Sequence, residues 1–490
     1  MPSKISRRQL LKLGAIASAG VLAACAPKVV EKIVEKEVTK IVKEVVKETI
    51  IVEGTPQVVE KEVTKIVKET VVVEKVAEAP EPVRGPIDLM AWSLGPMNPD
   101  VAAWKGYQDT VHEIMEDKLP GVTLTFRDMG WDEVLRQNLV TALLGGTAPD
   151  IINGESFIQP YAQIGAHLPL DDAMTEAGIM DNLIPGTYAN SVTGGKMYGI
   201  SVMTGVFAFE SNPNVVEQAG LDPSEWPKTW SQLLERCAAI TKAGKDEYYG
   251  YTLQGPVGFL VGGIMRYCVF ANCAGVTMCE NDCRDPYFDD PELERVLAFL
   301  REINRHTPPG LTFNPDEGQV YQQLHMGISA YQIGANWHST WAKEHGVWDV
   351  IQYGMIPMAD QGGMNASLTV GNLLVLAMSG TKYPVEAIDF IKILTMDEVT
   401  DYIYTASGGR SPSTYSGLKR ALPKIEPQHK IFFEILQQAD IGAMPQWPKA
   451  TDRVWAAVNE MMMKLFTTED PIPPLQAEAQ AAAEKAIAEA

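Results

Sequence analysis

Between Ile87 and Ile152 the chain alternates short apolar strands with amphipathic helices, an order that few folds can accept. IDLMAW (87–92) reads as a strand, and 101–118 as a helix stopping near Pro120-Gly121. VTLTFRDM (122–129) is a second strand, Trp131 to Leu144 a helix closed by Gly145-Gly146, and Asp150-Ile151-Ile152 starts a third strand. Such a βαβαβ run predicts an α/β fold, a mainly parallel sheet with helices on its faces. A second set follows residue 205. It includes a helix at 230–243 and another opened by Asp290-Pro291, an N-cap with proline at N1.

The 490 residues fit two large domains or three smaller ones. Net charge is −21, unevenly spread: residues 1–27 hold four bases and no acids, and 28–76 hold ten lysines and ten glutamates. The remainder has 27 bases against 52 acids, a surface that disfavours a nucleic-acid partner. At the start, Arg7-Arg8 precede a 12-residue apolar run, Leu13 to Ala24, too short to span a bilayer but suited to a signal peptide. The paired arginines resemble a twin-arginine export signal, and Leu22-Ala23-Ala24-Cys25 resembles a lipobox. Residues 1–25 are therefore expected to be a signal peptide ending at the lipid-anchor residue Cys25, and the protein to be extracytoplasmic and tethered to a membrane. Residues 26–85 read as a tether. VEKEVTKIVKE at 34–44 repeats letter for letter at 59–69. Its Val and Ile spacing permits a helical stripe and a short coiled coil, but β-branched residues and the Gly54-Thr55-Pro56 break favour a solvated stalk.

Several segments carry a resemblance. GGTAPDII (145–152), AQIGAHLPLDDAM (162–174), GGKMYGIS (194–201), AGLDPSEWPKTWSQLL (219–234), YGMIPM (353–358), VGNLLVLAMSGTKYPVEAIDFIKILT (370–395) and GGRSPS (408–413) follow one another. In that order they resemble the bacterial ABC-transporter extracellular solute-binding lipoproteins of family 1, the group similar to maltose-binding protein. The resemblance implies two α/β lobes joined by hinge strands, with a ligand clamped between them. Mapped here, lobe one takes 86–203 plus 359–408, and lobe two takes 204–358 plus 409–490. It also implies a small-molecule ligand, foremost a carbohydrate, ABC permease subunits as partners, no cofactor, and a monomer. The Ala-rich end at 476–490 reads either as a closing helix or as a frayed tail.

Ligands of parallel sheets sit outside the carboxyl ends of the strands. In lobe one this selects Trp92, then Asn153, Glu155 and Ser156, then Thr204 where the chain would cross. Gln254, Asn336 and Trp337 follow strands of lobe two, Asn372 lies in the VGNLL segment, and Trp447 near the family's last helices. Indoles stack on the apolar faces of sugar rings, while amides and Glu155 can bond hydroxyls. Trp92 reads equally well as core, and Arg410 reads as a structural ion-pair member.

Cys237 lies within a helix and reads as a buried apolar residue. Cys268, Cys273, Cys279 and Cys283 cluster within 16 residues. In an oxidising compartment Cys279 would pair with Cys283 across a hairpin turn and Cys268 with Cys273. The rival is a four-cysteine zinc site, which their irregular spacing does not favour, so no metal is expected. No nucleophile-elbow, zinc-protease or P-loop motif is present, so no enzyme is expected. Competing readings are a polyamine or other non-sugar binding protein, and an anchored glycoside hydrolase acting through two carboxylates.

Overall fold

The computed structural model describes residues 35–52, 55–72, 86–130, 132–154, 159–256, 262–280, 283–370, 373–438, 440–442, 444–445, 447 and 450–490. The chain divides into an amino-terminal unit that ends at Glu81, where the tether is expected, and a body that starts at Pro82.

The tether holds two strands of 18 residues, β1 (Glu35–Val52) and β2 (Thr55–Val72), paired antiparallel with Ile41 opposite Ile66. This hairpin corrects the helical reading. Val, Ile and Thr lose side-chain freedom in a helix and fit the pleated strand. The break at Gly54 falls between the strands.

The strands of the two main sheets of the body run, in chain order, β3 (Ile87–Trp92), β4 (Val122–Arg127), β5 (Ile151–Gly154), β6 (Gly199–Ser201), β7 (Met203–Ser211), β8 (Tyr249–Thr252), β9 (Ser329–Ala335), β10 (Gln352–Gly354), β11 (Ala366–Val370), β12 (Leu374–Ala377), β13 (Ser411–Pro412) and β14 (Asp440–Gly442). Lobe one is the sheet β4-β3-β5-β12-β6; lobe two is β8-β9-β7-β11-β14, with β10 and β13 also on β7. The expected parallel core is present: β3 pairs parallel with β4 and β5, and β8 with β9. The crossing strands run the other way. β12 is antiparallel to β5 and β7 to β9, because each enters its lobe at the end where the parallel strands finish.

Alternation along β3 sorts lobe one into two layers. Leu89 and Ala91 pack with Tyr107, Val111 and Met115 of the helix Lys105–Lys118 and with Phe390 of the helix Pro384–Ile393. Trp92 faces Leu135, Leu139 and Ala142 of the helix Asp132–Gly145. In lobe two, Phe207 and Phe209 join Trp230, Tyr251, Phe270 and Leu297 on one face. Val206 and Ala208 meet Phe432, Phe433 and Leu436 on the other. The Ala-rich end is a closing helix, Ile472–Ala488, burying Leu475, Ala479, Ala483 and Ala486. The Asp290 side chain caps the helix Pro291–Asn304 by accepting from the Glu292 amide at 2.7 Å.

The lobes exchange chain where three segments lie side by side. Gly205 and Val206 pair with Val370 and Thr369, Met203 and Thr204 with Pro412 and Ser411, and Leu373 donates its N–H to the Met203 carbonyl at 3.2 Å. The chain is therefore still in the lobe-two sheet at Val370 and in the lobe-one sheet by Leu374, so the return falls later than the expected boundary between 358 and 359. Residues 359–370 stay with lobe two: Met358 exchanges backbone bonds with Lys228 and Trp230, and Ala359 donates to Cys273 O at 3.2 Å.

Cys279 and Cys283 form a disulfide, whereas Cys268 and Cys273 are separate buried thiols. The expected second bridge fails for a geometric reason. Both residues sit on the helix Gly262–Cys273, and a five-residue step turns them about 140° apart around its axis. Burial pushes the Cys273 thiol up to about 12, and its Sγ donates to Ala366 O at 3.3 Å. Cys237 is fully buried, as its helical position suggests.

Candidate functional site

The carboxyl ends of β3, β4 and β5 meet at one rim of lobe one. Ser93 adopts a left-handed φ of 52° there, unusual for a residue with a Cβ. Its Oγ donates to Gly130 O at 2.8 Å and accepts from the Met129 amide at 3.1 Å. Asn153 Nδ2 donates to Ser93 O at 2.9 Å, and Asn153 Oδ1 is buried without a partner among the described residues. Trp92 itself turns into the core. Glu155, Ser156 and Asn372 lie outside the described residues.

On lobe two, Trp337 stands half-buried at the end of β9. Its ring lies 5.8 Å from Phe207 and carries the Arg410 guanidinium 5.3 Å from its centroid. Arg266 is sandwiched between Phe207 at 4.9 Å and Tyr321 at 4.7 Å, and pairs with Glu317 at 3.3 Å. Burial lowers its pKa to about 10, countered by Glu317, so it stays charged at neutral pH. Gln254 Oε1 accepts from the Tyr321 hydroxyl at 3.0 Å. Gln254, Tyr321, Arg266, Phe207, Trp337 and Arg410 thus form one continuous chain of contacts. Of these six, Gln254 and Trp337 are residues that the sequence singles out as ligand candidates. Sequence reasoning missed Tyr321 and Arg266, which come from helices, and gave Arg410 only a structural role.

Thr204 and Asn336 belong to the hinge. Thr204 Oγ1 meets Ser413 Oγ at 3.1 Å and Ser201 Oγ at 3.2 Å. Asn336 Nδ2 donates to Thr204 O at 3.1 Å, while its Oδ1 accepts from the Val206 amide at 3.3 Å. Trp447 is the clear correction. It is fully buried, 5.6 Å from Phe288 and 4.8 Å from Trp455, so it packs the core of lobe two. Trp447 turns inward with no apolar periodicity around it to announce its burial.

A further acid, Glu210, is fully buried in lobe two. Glu210 on β7 accepts from Gln332 Nε2 and lies 3.2 Å from His338 Nδ1. Gly334, opposite Ala208 on β7, leaves the space that the carboxylate fills. Across the seam, Asn190 of lobe one donates to Thr369 O at 3.0 Å and accepts from the Met444 amide at 2.9 Å. Arg136 is ion-paired with Asp452 of lobe two. Among the described residues no group of three or more His, Cys, Asp or Glu is arranged to hold a metal. No helix among them is long and apolar enough to cross a membrane.

Two lobes with rims at their strand ends, joined by three adjacent crossings, form a clamp. Residues 104–401 match the family model of the bacterial extracellular solute-binding proteins. The chain belongs to that family. It is thus a solute-binding protein of the extracellular type, extracytoplasmic as the family is.

Among curated relatives, a Brucella abortus protein described only as a binding protein is 33% identical over 150 residues, 30% of this chain and 35% of that one. A periplasmic-binding protein of Sinorhizobium fredii, named for amino-acid ABC transport, is 20% identical over 218 residues, 44% of this chain and 49% of its own length. The aligned part thus spans a third to a half of these relatives. Among solved structures, a Thermotoga lettingae solute-binding protein bound with α-D-tagatose matches with a TM-score of 0.67 at 20% identity, over 82% of this chain and 100% of that one. The cyclic α-maltosyl-1,6-maltose binding protein of Arthrobacter globiformis also reaches 0.67, at 17% identity, over 83% of this chain and 100% of its own. At these identities the likeness is one of fold.

Proposed function

We propose that this solute-binding protein captures a carbohydrate between its lobes, one per chain, and delivers it to the permease of an ABC importer. The observation that carries this reading is the half-buried Trp337, backed by Phe207 and bordered by Arg410. An indole offers a flat face to the C–H side of a sugar ring, and a guanidinium beside it donates to ring hydroxyls. Lobe one would contribute polar groups: Glu155, Ser156 and Asn372, together with the buried Asn153 acceptor. The family likeness to proteins that hold tagatose or maltosyl sugars supports the same class. No chemistry on the ligand is part of this reading. Export through the twin-arginine-type signal and acylation of Cys25 would keep the body beside its permease, and the mature amino terminus read by mass spectrometry tests that.

A second reading is an amino acid or another non-sugar solute, favoured by the Sinorhizobium relative and by Arg410, whose planar fork suits a carboxylate. A thermal-shift panel of mono- and oligosaccharides, amino acids and polyamines separates them. A ligand at a hundred times its dissociation constant should add about 2.7 kcal/mol to stability. A shift with saccharides alone supports the first reading. A shift with amino acids or polyamines alone replaces it.

A further inference from the structure

The tether pairs with itself in a register that its own sequence makes symmetric. Val34–Glu44 and Val59–Glu69 are identical, and Ile41 and Ile66 occupy the same place in the two copies. The hairpin sets Ile41 opposite Ile66. Outward from that pair, Val42 stands opposite Lys65, Lys43 opposite Thr64, Glu44 opposite Val63, Val45 opposite Glu62, Val46 opposite Lys61 and Lys47 opposite Glu60. Every charged residue in this stretch lies opposite an uncharged one or one of the other sign. Like charges directly opposite would destabilise the pairing.

We infer that the tether is a self-association element, and that its occupant is β1 of a second copy of this chain. Because the two segments are the same sequence, β1 can pair antiparallel with another β1 in the register just described, with Ile41 opposite Ile41. The flanking pairs are then Val42 with Lys40, Lys43 with Thr39, Glu44 with Val38, Val45 with Glu37, Val46 with Lys36 and Lys47 with Glu35. The rule that holds within the hairpin holds between copies.

A further observation points the same way. Among the described residues β1 and β2 pair with no other strand, so each leaves an outer edge 18 residues long. Long unpaired edges template further pairing, and a lone two-stranded hairpin is marginal in water. Joining two hairpins gives a four-stranded sheet, β2-β1-β1-β2, about a twofold axis at Ile41. Lysine along an edge ordinarily repels a neighbouring strand, but here the copy presents Glu or an uncharged residue to each Lys. An anchor at Cys25, which the proposed function supplies but this inference does not require, would hold copies in one plane and raise their local concentration.

The test uses residues 26–490, which omit the lipid-anchor cysteine. Sedimentation velocity at tens of micromolar should give twice the chain mass. Under mild oxidation Ile41→Cys should form a covalent dimer, because the two residues 41 meet on the axis. Thr39→Cys should not, since two residues 39 would be about 13 Å apart, beyond disulfide reach. An Ile41→Cys/Ile66→Cys variant should close within one chain and so reports that the hairpin is formed. A monomeric mass, cross-linking of Thr39→Cys equal to that of Ile41→Cys, or closure of the double variant without any dimer from the single one would each overturn the inference.

Discussion

Arg136, on the lobe-one helix Asp132–Gly145, is ion-paired with Asp452 in the first turn of the lobe-two helix Thr451–Thr467. The pair ties the lobes at a point separate from the crossing strands, so it can bias how far they close. The aspartate also sits where a helix dipole favours an anion. Because Asp452 is about half exposed, the pair is worth up to about 1 kcal/mol, or roughly fivefold in population. Arg136→Glu should open the lobes and enlarge the radius seen by small-angle scattering, and the swap with Asp452→Arg should restore it. Equal radii in all three proteins would remove the pair from the hinge equilibrium.

The buried carboxylate of Glu210 depends on a missing side chain. A Cβ at Gly334 would overlap the Glu210 carboxyl group and push it off Gln332 and His338. Displacing a buried, hydrogen-bonded polar group costs roughly 3 kcal/mol. Gly334→Ala should show that loss in urea unfolding. A change below about 0.5 kcal/mol, typical of surface substitutions, would mean that the network relaxes freely.

Two histidines set the acid side of stability. Burial holds His325 and His429 down to about 4, with His338 and His345 adding to the effect at His325 and Lys343 at His429, while Glu210 and Glu426 oppose it. In the unfolded chain both would titrate near 6.5. Between those values the unfolded state binds protons that the native state refuses, so stability is full above about 6.5 and declines as pH falls. From pH 6.5 to 5 the loss should approach about 2 kcal/mol per histidine as an upper bound. Urea midpoints at pH 7, 6 and 5 measure it, and a flat profile would contradict the burial of these rings.

The Cys279–Cys283 link closes a very short loop, so its removal should be mild. The chain-entropy relation gives about 2 kcal/mol for a five-residue loop. Cys279→Ser should lose no more than that. Peptide mapping without reduction should find one disulfide and leave Cys268 and Cys273 unlinked, and a Cys268–Cys273 peptide would contradict the structure.

The elements that position the site were legible because they follow local rules. The Ile87–Trp92 strand, the Asp290-Pro291 helix start and the buried Cys237 each follow from periodicity or capping. What could not be read depends on contacts between distant segments. Trp447 has no flanking pattern, yet it is buried by Phe288 and Trp455. Cys268 and Cys273 are near neighbours in sequence but diverge around a helix. The Arg266 sandwich needs a strand and two helices to converge, and the late return to lobe one follows from pairing of Thr369 and Val370 with β7 rather than from a composition break.

The central claim is that Trp337 forms the lobe-two wall of a carbohydrate site, and titration calorimetry of the body with saccharides tests it directly. The account predicts saturable binding of one saccharide per chain, weakened roughly ten- to a hundredfold in Trp337→Ala, as desolvated tryptophans often dominate binding. Trp447→Ala should instead cost about 3–5 kcal/mol of folding stability. Full saccharide affinity in Trp337→Ala, or saturable heat with amino acids or polyamines and none with any saccharide, would contradict the account.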